Sequence, residues 1–186
     1  SGSDLVREFD QERRLTYLQY YGSDLEGALA DNVHASISIQ EQDETRTRIR
    51  GSGVQNDQGF DVDTFGVFLH ADKETPIGTL RYGFDYYRDN VNSFLLDLSD
   101  PGNAANMIQG PVGDDASYDL IGVYLQQQVE LGERVEVTLG GRFNYAEADA
   151  NEVRDPVTDT QISVSDNWSD FLGSARFKVD LVEDEW

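Results

Sequence analysis

Apolar and polar residues alternate one for one in stretch after stretch of this chain. "NVHASISIQEQ" sets Val33, Ala35, Ile37 and Ile39 against His34, Ser36, Ser38 and Gln40. "DTFGVFLHA" puts Phe65, Val67, Leu69 and Ala71 on one face. "TLRYGFDYYRDNV" puts Leu80, Tyr82, Phe84 and Tyr86 opposite Arg81, Asp85, Tyr87 and Asp89. "YDLIGVYLQQQVEL" sets Ile121, Val123, Leu125, Val129 and Leu131 against Tyr124, Gln126, Gln128 and Glu130. "VEVTLGGRFNYAE" and "DFLGSARFKVDL" follow the same rule, with Val135 to Tyr145 and Phe171 to Leu181 on their apolar rows. Side chains on an extended chain point to opposite faces in turn, so this period predicts half-buried strands. With the less regular "RRLTYLQYYG" there are seven strand candidates. No helical pattern of comparable length competes; "DLEGALADN" holds at most one Gly-broken turn.

The connections predict an order for those strands. Residues 22–32, 72–78 and 131–135 read as compact turns, whereas 44–60, 90–117 and 146–167 read as longer polar loops. Compact and long alternate along the chain, as in an up-and-down antiparallel meander with all turns at one end and all loops at the other. A Greek-key sandwich has no reason to sort its loops this way.

The apolar rows of the five cleanest strands carry no Asp, Glu, Lys or Arg. Each of those segments runs about 9–11 residues, the length of a tilted strand crossing a bilayer. A charge facing lipid costs roughly 2–4 kcal/mol at the midplane, which accounts for the exclusion. The opposite rows carry Arg81, Asp85, Tyr124, Gln126, Arg142, Arg176 and Lys178, suited to a wet or protein-plugged lumen. The expected fold is therefore all-β: an antiparallel meander of about seven or eight strands, part of a transmembrane barrel or a small version of one. Tyr82, Tyr86, Tyr145 and Phe171 sit near strand ends, as interfacial girdles would, although strand propensity alone also favours them.

Composition narrows the partners. The formal charge is −22, with 14 Lys and Arg against 36 Asp and Glu. That argues against nucleic acid, whose binding needs neutralised phosphates, and against docking on an anionic leaflet. There is no cysteine, hence no disulfide framework and no thiolate metal site. No run of about 18 apolar residues marks a membrane helix, and the first residues show no signal peptide. Residues 1–11 are expected to be disordered or an added stretch, with the barrel segment over 12–186.

"QERRLTYLQYYG" followed by "NVHASISIQEQDETRTRIR" resembles the early barrel of TonB-dependent outer-membrane receptors. "GFDVDTFGVFLHADKETPIGTLRYGFDYYRDNV" is similar to their next hairpin, and "SYDLIGVYLQQQVELGERVEVTLGGRFNYAEADA" to the one after it. The resemblance runs from about Gln11 to Trp186. It implies a bacterial outer-membrane location and a 22-stranded barrel around an N-terminal plug. Such a receptor imports iron chelates, haem or cobalamin with energy delivered through TonB. Implied partners are the bilayer, a small-molecule ligand such as a metal chelate, and the plug and TonB in the parent protein. Neither plug nor energy-coupling box is present, and Trp186 is off the parity of Phe177, Val179 and Leu181, so a fragment cut at both ends is expected. An open sheet would then expose two edges and an apolar face.

Under that resemblance, ligand contacts belong at the long-loop ends of the polar rows, at Tyr87, Asp89, Tyr118, Asn144 and Trp168. Arg81, Arg142 and Arg176 lie deeper, toward barrel neighbours or the plug. Other chemistry is thin. His34 and His70 share the polar face, but no third metal ligand has a readable spacing. The acidic loops lack EF-hand spacing, so Ca²⁺ is not assigned there. "RGSGVQNDQG" is not a phosphate cradle, and no hydrolase signature occurs. No cofactor, metal site or enzymatic activity is expected. Two other readings stay open: a small outer-membrane or engineered barrel with a structural or adhesive role, and a soluble barrel or sandwich that binds a small molecule.

Overall fold

A computed structural model describes residues 4–180 apart from Pro101 and Glu133. The expectations for Leu181 and Trp186 fall outside the described residues. The chain forms a single antiparallel sheet of eight strands: β1 (Asp4–Gly22), β2 (Asn32–Arg50), β3 (Gln55–Thr75), β4 (Gly78–Asp97), β5 (Ala105–Asn106), β6 (Asp114–Leu131), β7 (Val135–Arg154) and β8 (Gln161–Val179). The path is β1-β2-β3-β4-β6-β7-β8, and the two-residue β5 pairs with β4 at the side. All seven alternating segments are strands, and the meander is up-and-down as the pattern requires. Among the described residues no pairing joins β1 to β8, so the sheet does not close on itself.

Register collects the apolar rows on one face. Rows of directly opposed residues run Ile37–Val67–Tyr86–Ile121–Tyr145 and Ala35–Leu69–Phe84–Val123–Phe143–Phe171. The lower limit of this band descends across the sheet, ending at Val33 on β2 but at Val135 on β7 and Val179 on β8. A band that slides along successive strands is what tilt relative to a membrane plane produces. No second layer covers either face: Ala71 is the one buried hydrophobic residue among those described, while Leu125 is 55% and Phe177 69% exposed. A soluble sandwich would bury one face in a core.

Two expectations need correction. Residues 4–11 belong to β1, paired with β2 from Val6↔Ile49 through Gln11↔Glu44, and are not a disordered leader. The loops expected over 44–60 and 146–167 are mostly strand, with connections of only 51–54 and 155–160. The turn at 23–31 is longer than the connection at 51–54, so length does not sort the two ends. The physical reason is visible in the register. Beyond Ile39 and Phe65 the formerly apolar row continues as Glu41↔Asp63 and Asp43↔Asp61. With both faces polar the alternation disappears, although the backbone ladder goes on.

The connection over 98–113 remains long, and it folds back on β4. Met107 N donates to Leu95 O at 2.9 Å, and the buried Ser93 hydroxyl accepts from Gly110 N at 3.1 Å. At the opposite end the 23–31 turn is tied down by Lys73, whose Nζ donates to Gly27 O at 2.9 Å, and by Tyr82 Oη, which donates to Leu29 O at 2.8 Å. No helix forms over "DLEGALADN".

Candidate ligand-facing wall

The polar face is organised by long side chains lying across glycines. Asp85, Gly122 and Asn144 are register neighbours on β4, β6 and β7. Arg142 Nη2 crosses Gly122 and donates to both oxygens of Asp85, at 2.8 and 2.9 Å, while its Nε donates to Asn144 Oδ1 at 2.6 Å. A Cβ at Gly122 would lie 2.0 Å from Arg142 Nη2, so the crossing requires glycine there. One row over, Tyr124 lies across Gly83 in the same manner, and its hydroxyl reaches His70 Nδ1. The Arg142 guanidinium sits 6.0 Å from the centre of the Tyr124 ring. His34 is the direct register partner of His70 and stacks on Tyr21 at 4.2 Å. Among the described residues, no three His, Asp or Glu side chains come together as a metal-ligand set.

The sequence-predicted residues distribute as follows. Arg81 donates to Gln128 Oε1 at 2.8 Å. Gln126 lies beside Tyr124 and Arg142 around a small depression of about 220 Å³. Arg176 and Lys178 are on the exposed edge strand β8, and Lys178 has Asp180 at 3.8 Å. Tyr87 leans over Gly66, and Asp89 accepts from Thr64 Oγ1 at 2.6 Å. Tyr118 and Trp168 meet in one place. They line a cavity of about 490 Å³ with Val91, Ala116, Ala148, Ala150, Val164 and Asp166, on the polar face and beyond the apolar band. Asp89 is the register partner of Tyr118, so it stands beside this cavity, whereas Asn144 is held lower by Arg142.

Small side chains make the cavity. Three alanines on β6 and β7 leave room between the two aromatic rings, and Asp166 gives the rim a negative group. Sequence reasoning named the rings but not the alanines, whose strand positions lay inside segments read as loop. It also missed the arginines of "TRTRIR", although their strict alternation was the available signal.

A single-layer, up-and-down sheet with an apolar band on one face and a braced polar network on the other is a section of transmembrane barrel wall. The family "TonB dependent receptor-like, beta-barrel" matches residues 3–184, and the chain belongs to that family. It is an outer-membrane family of transport receptors, not of enzymes. Among solved structures the fold is similar to that of a protein described as "Copper transporter OprC". That match has a TM-score of 0.71 and 16% identity, and covers 94% of this chain and 29% of that one. The chain thus spans under a third of that transporter's length. No curated protein sequence matches the chain significantly.

Proposed function

We propose that this chain is part of the barrel of a TonB-dependent importer, and that its polar face is lumen wall contacted by a scarce ligand on its way in. The ligand class is a metal or its chelate, with ferric chelates, haem and cobalamin as the forms the family resemblance implies. The copper-transporter neighbour keeps simple metal species within that class. One observation carries the reading: the 490 Å³ cavity that Tyr118 and Trp168 share, on the polar face and beyond the apolar band. A ligand pocket of this kind pairs aromatic surface with a few polar groups, here Asp166 and the neighbouring Asp89. Tyr87 and Asn144 would extend the contact along the wall. In the parent protein, Arg81, Asp85, Tyr124, Gln126, Arg142, Arg176 and Lys178 would meet barrel neighbours or the plug, with TonB as the energy-coupling partner.

The test is uptake under metal limitation by cells whose only receptor of this kind is the full-length parent protein, offered copper, ferric chelates, haem and cobalamin in turn. Trp168→Ala and Tyr118→Ala should lower uptake of one ligand about tenfold at unchanged outer-membrane abundance. Unchanged uptake of every ligand in both variants would sink the proposal.

A further inference from the structure

One cluster of positive charge stands out in a chain whose net charge is −22. Arg46, Arg48 and Arg50 alternate along β2 with the parity of His34, so all three leave the polar face, about 7 Å apart at two residues per step. Arg7 on β1 is the direct register partner of Arg48. Four of the chain's 14 cationic residues therefore share one patch, at the end of the strands beyond the apolar band and beside the 51–54 connection.

Carboxylates for this patch are few. Arg48 Nε donates to Asp4 Oδ1 at 2.8 Å, the one ion pair that these four arginines make among the described residues. Arg7 lies 5.3 Å over the Phe9 ring. The Nε atoms of Arg46 and Arg50 are buried with no hydrogen-bond partner among the described residues. The nearby Glu44 and Asp97 of this face accept from neutral donors, the Gln11 amide and the backbone N–H of Ser99, and neither forms an ion pair with these arginines among the described residues. Burial first, and then the neighbouring Arg48, Arg7 and Arg50, hold the Arg46 guanidinium below its usual range, against the opposing pull of Asp4. A guanidinium nevertheless stays charged at any physiological pH. Unpaired, partly buried cations held side by side are unfavourable alone, and become favourable when an anion bridges them through charge-assisted forks.

We infer that Arg7, Arg46, Arg48 and Arg50 form an oxyanion site for a small polyanion carrying two or more carboxylate or phosphate groups. The spacing of the arginines favours several anionic groups over one. The position beyond the band leaves the patch open to the aqueous side, and its separation from β6–β8 makes it distinct from the Tyr118–Trp168 cavity. The site rests on reading the polar face as lumen wall. Local positive charge here also gives an acidic protein one place where an anion is not repelled.

The experiment is calorimetric titration of the full-length protein in detergent, with citrate and pyrophosphate as probes and sodium chloride at matched ionic strength as the control. One saturable site is expected for at least one probe, weakened about tenfold or more by Arg46→Gln or Arg50→Gln. Arg46→Lys should recover part of that loss, and Arg14→Gln, on the other face, should change nothing. Citrate binding alone would mark a carboxylate site and pyrophosphate binding alone a phosphate site. Binding no greater than the chloride control overturns the inference, and would mean that carboxylates elsewhere in the protein neutralise the patch. Equal binding by folded Arg→Gln variants also overturns it. Saturable anion binding in a protein that imports none of the ligands tested would leave this site standing and remove the importer reading.

Discussion

The two halves of each long strand obey different rules on the same face. On β3, Phe65, Val67, Leu69 and Ala71 form an uncharged row, and two steps further Asp63 and Asp61 continue it. On β7 the change comes between Tyr145 and Glu147, and on β6 between Ile121 and Asp119. The backbone ladder passes through these points without interruption; only the solvent changes. A bilayer strand needs about 9–11 residues, and β3 has 21. The lower half is thus membrane wall, and the upper half carries the wall into water. At the changeover, Tyr86 Oη donates to Asp119 Oδ1 at 2.6 Å and Tyr145 Oη to Glu147 Oε2 at 2.9 Å. Each ring stays with the apolar row and each hydroxyl faces the charged one, the position amphipathic rings take at an interface.

Substitutions break the comparison in a graded way. The largest effect is expected from Val123→Arg in the apolar band, about 2–4 kcal/mol of lost stability in urea unfolding from lipid vesicles. Asp63→Arg, two steps above the band on β3, should stay within about 0.5 kcal/mol. Next comes Asp85→Ala on the polar face, which removes both acceptors of Arg142 Nη2 and should cost about 1.5–3 kcal/mol in the same assay. Tyr86→Phe removes one hydrogen bond at the boundary and should cost about 0.5–1.5 kcal/mol, with no loss of membrane insertion.

The smallest effect concerns pH at the 155–160 connection. Asp155 accepts hydrogen bonds from the backbone N–H groups of Val157 and Thr158, at 2.7 and 3.2 Å, which hold its carboxyl below the usual range. Because the folded value is depressed, the turn has its full stabilisation above the ordinary carboxylate value of about 3.9 and loses it as pH falls through the lower folded value. Protection of the Val157 and Thr158 amides, their exchange measured against the intrinsic rate at each pH, should fall over that window alone. Protection that stays constant there would remove Asp155 as the brace.

Legibility followed the solvent. Where one face met lipid, alternation was clean on β2, β3, β4, β6, β7 and β8, down to the parity of Phe84 and Val123, and looser on β1. Where both faces met water, as at "EQDETRTRIR", no apolar row remained to mark the strand, and the alternation of its arginines alone reads as a polar loop. The same lapse hid part of the candidate site. Tyr118 and Trp168 were visible as large amphipathic groups near strand ends, but the alanines that open a cavity between them were not. The Asp85–Arg142 brace depends on register across three strands and on Gly122, and no local pattern carries that information. Likewise Arg7 and Arg48 are far apart in sequence and meet only through the β1–β2 ladder.

The most direct test of the two-solvent wall uses single-cysteine variants of the full-length protein, which is simple for a chain with no cysteine in this segment. Fluorescent labels at Val123→Cys, Phe84→Cys, Asp63→Cys and Glu147→Cys would be challenged in vesicles with lipid-borne and water-borne quenchers. The account predicts lipid-phase quenching at the first two and aqueous quenching at the last two. Uniform aqueous quenching at all four would contradict it, because the apolar band would then face something other than a membrane.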